Sequence, residues 1–218
     1  MAATRRRRPL PWLGPAVLLG ALAPLVSIGL RARSGELGAN PIAEALNELG
    51  LLALVFLIAS LAATPLRTIS GWTWPIRLRR MLGLMAFSYA AVHFSVYVAL
   101  DQGLDLRAVL VDIAKRKFIL VGFTAFVLLV PLALTSTAAS VRRLGYVRWK
   151  RLHTLVYPAA VLAVIHFVWR VKKDLSEPMV YGAILAVLLL VRVLTRLRRP
   201  TPAAARARVA PLADGAPR

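Results

Sequence analysis

The chain has 218 residues, of which 59% are hydrophobic, with a mean hydropathy of +0.68, a net charge of +20 and no cysteine. That apolar fraction exceeds what a soluble domain can carry while keeping a polar surface, so the chain reads as a bilayer protein. The missing cysteines exclude thiolate ligation of haem, cysteine-held iron–sulfur clusters and disulfides.

A hydrocarbon core of about 30 Å calls for about 20 apolar residues per helix, and six such runs lie at 10–30, 47–66, 81–100, 118–135, 152–170 and 178–197. The first follows Arg5 to Arg8 and contains Ala21-Leu22-Ala23, a small-residue pattern like that of a secretory cleavage site. Pro24 would be the first residue after such a cut, and the apolar run continues to Leu30, so this segment reads as a retained span. Loops are expected near 31–46, 67–80, 101–117 and 136–151. Residues 1–9 form a basic terminus, 10–199 a six-helix domain, and 200–218 an Ala-, Pro- and Arg-rich tail with little to bury, expected to be disordered. Pro24, Pro65, Pro131 and Pro158 fall within spans and are expected to mark kinks or ends.

Six spans put both tails and alternate loops on one side. That side carries twenty basic residues against the single acid Asp214, a net of +19; the other carries nine against eight, a net of +1. The positive-inside rule places the arginine-rich side and both termini in the cytoplasm. Orientation and attraction to anionic lipid account for the charge, so a nucleic-acid partner does not follow from it. Trp12, Trp72, Trp74, Trp149 and Trp169 sit at span ends or in short loops, where indole suits the interface. No stretch is long enough for a soluble nucleotide-binding domain, so electrons from NAD(P)H could not be taken directly.

Only three histidines occur, His93, His153 and His166, each inside or at the rim of an apolar run. An isolated membrane histidine can serve as hydrogen-bonding glue between helices, but ionisable groups inside spans are functional by default. Spans 3 and 5 both run outward from the cytoplasm, which places His93 and His166 at one depth toward the far side. Two neutral imidazoles facing each other there can supply both axial ligands of a haem iron. His153 lies 13 residues before His166, about 20 Å lower on one straight helix and roughly 140° around it. The span-3 residues at its depth are Arg79 and Arg80, which are not iron ligands but suit propionates, a flavin phosphate or a quinone oxygen. The cytoplasmic site is left open among a flavin, a quinone and a less regular haem. Apart from the rim residue Glu48, the span interiors lack Asp and Glu, which removes the usual carboxylates of proton-coupled transport.

The runs RLRRMLGLMAFSYAAVHFSVY, LTSTAASVRRLG and WKRLHTLVYPAAVLAVIHFVW, with LGANPIAEALNELG and ATPLR earlier, resemble the MsrQ family. Its members are haem-binding membrane subunits of the bacterial protein-methionine-sulfoxide reductase system. The resemblance covers nearly the whole chain and extends more loosely to the ferric reductase and NADPH oxidase membrane domains, which carry two haem histidines on each of two helices. Span 3 here has only one, so one b-type haem is the safer expectation and a second is in doubt.

The resemblance implies an all-α, ferric reductase-like bundle in the bacterial inner membrane. It implies electrons from quinol, by way of FMN in one version, passing to a periplasmic molybdenum-containing catalytic subunit that reduces methionine sulfoxide. It matches His93, His153 and His166 to the family's haem-associated histidines and Arg79 and Arg80 to its paired basic residues. The chain would then be an electron-transfer subunit rather than the catalytic one. Two other classes share these sequence features: a metalloreductase or quinone-linked cytochrome with another acceptor, and a cofactor-free scaffold or carrier.

Overall fold

The structure is a computed structural model that describes residues 11–171 and 174–198. The basic residues before position 11 and the tail expected after Pro200 lie outside the described residues.

Among the described residues, six helical segments are long and apolar enough to cross a membrane, the third continuing to Asp101 and the fifth starting at Tyr146. They are α1 (Leu13–Ser34), α2 (Pro41–Ser70), α3 (Trp74–Val96), α5 (Lys117–Leu134), α8 (Val156–Arg170) and α9 (Ser176–Leu197). A π-helical turn, Tyr97–Asp101, extends α3, and α7 (Tyr146–Leu152) leads through a 3-10 turn, His153–Leu155, into α8. The chain is thus a multi-pass, all-helical membrane protein.

Several expected loops are shorter than their apolar boundaries suggest, because capping signals set the ends. Asn40 accepts from the Ala43 amide at 3.1 Å and Pro41 starts α2, so that helix begins six residues before the apolar run. Gly71 closes α2 in the left-handed conformation at φ 71°, only three residues before α3 begins. The expected loop at 101–117 contains α4 (Leu106–Lys115), and that at 136–151 contains α6 (Ala138–Leu144) and most of α7. Asp105 caps α4 by accepting from the amides of Arg107 and Ala108 at 2.8 and 3.0 Å. Val109 and Ile113, one turn apart, bury one face of α4 against Tyr97.

In the bundle α2 packs along α3 and α5 along α8, with α3 also facing α5. Leu57, Leu61, Ala86, Leu129, Ala159, Ala160 and Leu185 form the central core. Ala159 and Ala160 are fully buried, and small side chains there let helix backbones approach, as packing in lipid requires. α1 is peripheral, fixed by Ile28 against Leu49 and by the Tyr89 hydroxyl, which donates to the Ala21 carbonyl at 2.6 Å. Pro24, Pro65 and Pro131 lie inside helices that continue through them, and Pro158 falls in the first turn of α8. Glu44 and Glu48 both fall within α2, and Arg31 near the end of α1 pairs with each.

Candidate functional site

His93 on α3 and His166 on α8 meet across the bundle, with ring centroids 6.4 Å apart and ring planes at 84°. Each ring is held by one nitrogen. His93 Nδ1 lies 2.9 Å from the Leu46 carbonyl on α2, and His166 Nδ1 lies 2.7 Å from the Phe118 carbonyl on α5. A helix carbonyl can only accept, so Nδ1 of each ring carries the hydrogen and Nε2 keeps its lone pair. A carbonyl behind the imidazole is the usual outer partner of a metal-ligating histidine, fixing tautomer and ring direction.

The spacing fits iron. With metal–imidazole bonds of about 2.0 Å and each ring centre roughly 1.1 Å behind its nitrogen, two rings sharing one metal ion from opposite sides would have centroids about 6.2 Å apart. The two rings open on a cavity of about 310 Å³ walled by Phe94, Phe123, Phe126, Leu129 and Ala163, an apolar enclosure suited to a porphyrin face. Its mouth carries Arg116 and Arg170. Arg170 donates to the Asn47 side chain and lies 5.7 Å from the Phe167 ring, with no carboxylate bonded to it among the described residues. Arg116 is paired with Asp112, which also accepts from Tyr97 Oη at 2.8 Å. The Asp112 carboxyl is held below its ordinary range by the Arg116 guanidinium first and the Tyr97 hydroxyl second.

The other predicted site residues gather at the arginine-rich end. His153 sits in the 3-10 turn, its Nδ1 3.0 Å from the Trp149 carbonyl and its ring centroid 4.0 Å from that of Trp149. Its Nε2 is buried without a hydrogen-bond partner. Arg79 is half-buried and close enough to Arg192, Tyr157 and His153 to interact with each through space, whereas Arg80 is exposed. Arg192 on α9 donates to Tyr157 Oη and, at 2.7 Å, to the Leu61 carbonyl, and its Nε is buried without a partner. Two arginines and an orphaned imidazole nitrogen, with no carboxylate bonded to any of them among the described residues, make a site that favours an anionic or carbonyl-bearing ligand.

Residues 47–164 match the family model described as "Ferric reductase like transmembrane component". The protein-methionine-sulfoxide reductase heme-binding subunit MsrQ of Rhodospirillum rubrum is 54% identical over 184 residues, covering 84% of this chain and 88% of the relative. That of Deinococcus radiodurans is 50% identical over 198 residues, covering 90% and 98%, and that of Herminiimonas arsenicoxydans is 49% identical over 179 residues, covering 81% and 82%. The chain belongs to the MsrQ family.

Of the residues singled out from the sequence of this MsrQ-family chain, the fold brings His93 and His166 face to face and sets His153 beside Arg79. It separates Arg79 from Arg80, since adjacent helical residues point about 100° apart. Sequence reasoning missed the carbonyls of Leu46 and Phe118, which no side chain announces. It also counted Arg170, Arg116 and Arg192 only as orientation charges. A signal existed for Arg192, which stands near the C-terminal end of an apolar run, about one turn before Arg196.

Proposed function

We propose that this chain is the haem b-bearing electron-transfer subunit of a protein-methionine-sulfoxide reductase, set in the bacterial inner membrane with its arginine-rich end in the cytoplasm. The observation that carries the reading is the His93–His166 pair, each Nδ1 engaged by a helix carbonyl and each Nε2 left for a metal. The names of the relatives support haem binding and the reductase system, and the asymmetry of loop charge supports the orientation.

Bound haem supplies a one-electron iron couple in a dry, apolar site. His93 and His166 would hold the iron through their Nε2 atoms, and the Leu46 and Phe118 carbonyls would raise imidazole basicity and so favour ferric iron. Arg170 and Arg116 at the cavity mouth offer cationic hydrogen-bond donors to propionates. In the π-helical turn after α3 the Gln102 amide donates to the Tyr97 carbonyl at 3.0 Å, and the Tyr97 hydroxyl reaches Asp112 on α4. That contact seats α4 over the outer end of the site.

At the inner end, Arg79, Arg192, Tyr157 and His153 form the electron-intake site. Arginine donors and a hydroxyl suit a quinol or quinone oxygen, and the His153 Nε2 lone pair can accept a quinol proton. FMN binding by its phosphate rests on the family resemblance and uses the same cations. One bis-histidine haem is assigned, because no second imidazole stands opposite His153.

Reduction of a methionine sulfoxide consumes two electrons and two protons and releases water. The subunit delivers the electrons singly to a periplasmic molybdenum-containing catalytic partner, which does the chemistry. The test is purification from haem-replete cells, with haem and flavin quantified per polypeptide. A Soret band that shifts on quinol addition, in a preparation that co-purifies with the periplasmic reductase, is the expected result. Colourless protein overturns the reading.

A further inference from the structure

The two carbonyls that hold the histidines share a feature of sequence: each is followed four residues later by glycine, Leu46 by Gly50 and Phe118 by Gly122. In a helix the carbonyl of residue i already accepts from the amide of residue i+4, and the Cβ of residue i+4 stands beside it. A flat imidazole ring can come up against that carbonyl most closely where this Cβ is missing. A Cβ on Gly122 would lie 2.6 Å from His166 Nδ1, 2.8 Å from Cε1 and 2.9 Å from Cγ, inside the ring's van der Waals surface. A Cβ on Gly50 would lie 3.2 Å from His93 Cε1 and 3.3 Å from Nδ1, tight but smaller in consequence. The same device thus occurs twice, on α2 for His93 and on α5 for His166.

We propose that Gly50 and Gly122 are positioning residues, each opening a helix carbonyl to an imidazole so that the two rings are clamped in one tautomer with their planes crossed. This rests on the haem reading above, and it explains an angle that ligation alone does not demand. Two axial imidazoles can lie parallel or crossed with nearly equal bond lengths. Here the 84° angle follows from which carbonyl each Nδ1–H must reach. These glycines are therefore specified by the orientation of the ligands, not by helix packing alone.

The crossing has a spectroscopic consequence. Perpendicular imidazoles interact equally with two iron d orbitals and leave them nearly degenerate, which gives ferric haem a strongly anisotropic low-spin paramagnetic resonance spectrum dominated by one large g value. Rings turned toward parallel split those orbitals and give a rhombic spectrum. Loss of the Nδ1–H···O=C bond also makes imidazole a poorer donor, destabilises ferric iron and raises the midpoint potential.

The test compares the full-length protein with Gly50→Ala, Gly122→Ala and the control Gly29→Ala, whose added methyl meets nothing within 4 Å. Haem per polypeptide, the ferric resonance spectrum and the midpoint potential are measured for each. Wild type and G29A should show the large-g spectrum. G50A should keep its haem while its spectrum shifts toward rhombic and its potential rises. G122A should lose haem retention about tenfold or more, the usual scale for loss of an outer partner at a metal site. If G122A is not recovered in folded form, G50A decides, since its predicted changes do not require haem loss. Haem-loaded wild type with G50A unaltered in spectrum and potential overturns this inference and leaves the haem reading intact; wild type without haem overturns both.

Discussion

Arg192 donates from Nη2 at 2.7 Å to the carbonyl of Leu61, the carbonyl four residues before Pro65 in α2. Proline has no amide hydrogen, so Leu61 would otherwise face the bundle interior unpaired. In lipid such a carbonyl must find a donor within the protein, and an arginine on α9 supplies it. Arg192→Leu should therefore destabilise the protein by about 1–3 kcal/mol, the scale of a hydrogen bond to a charged group. Adding Pro65→Ala restores an amide to Leu61 and should recover part of that loss. A double-mutant cycle on detergent unfolding checks the coupling, and strictly additive effects contradict it.

The histidines separate by role. His93→Ala and His166→Ala should each abolish the low-spin haem, since each removes a nitrogen proposed to hold the iron. His153→Ala should retain it, because His153 packs on Trp149 and faces no other imidazole. Pyridine haemochrome content per polypeptide distinguishes the three variants.

Arg79 and Arg80 should differ although they are neighbours. Arg79→Gln removes a half-buried cation beside Arg192 and His153, and it should slow haem reduction by quinol while leaving reduction by dithionite unchanged. Arg80→Gln alters an exposed side chain and should leave both rates near wild type. Stopped-flow reduction with each donor reads the difference.

At the opposite end, Arg170→Gln removes a positive charge from the mouth of the histidine cavity. A nearby cation favours the more negative ferrous form, so the midpoint potential of the retained haem should fall. Potentiometric titration of wild type and variant checks the sign; an unchanged potential would place Arg170 outside the haem's field, and a rise would contradict the electrostatic argument.

Asp112 gives a pH dependence. Its folded-state carboxyl is depressed by Arg116 and Tyr97, so the stability it contributes is fully present above its unfolded value of about 3.9 and is lost as pH falls through the lower folded value. Asp112→Asn should cost about 1–2 kcal/mol at neutral pH by weakening the Tyr97 contact and deleting the Arg116 pair. The difference between wild type and variant should shrink in acid, as thermal inactivation at neutral and strongly acidic pH would show.

Several of these residues were legible in the chain alone. His93 and His166 were found because imidazole is costly in an apolar run and their depths follow from span direction. Arg192 was hidden among orientation charges, since its reason for being there is a proline 127 positions earlier. The amphipathic α4 was read as loop although Asp105 capped it and Val109 and Ile113 marked its face, because its single turn pair is a weak periodic signal beside the long spans.

By itself the sequence determined six apolar spans and the meeting of the third with the fifth, because hydropathy acts residue by residue along the chain. Only the tertiary structure decided that the imidazole planes cross at 84°, that Arg79 turns inward and Arg80 outward, and that Leu46 and Phe118 hold the rings. Those relations depend on helix rotation and on backbone carbonyls, which carry no side-chain label and acquire their partners only when distant helices come into contact.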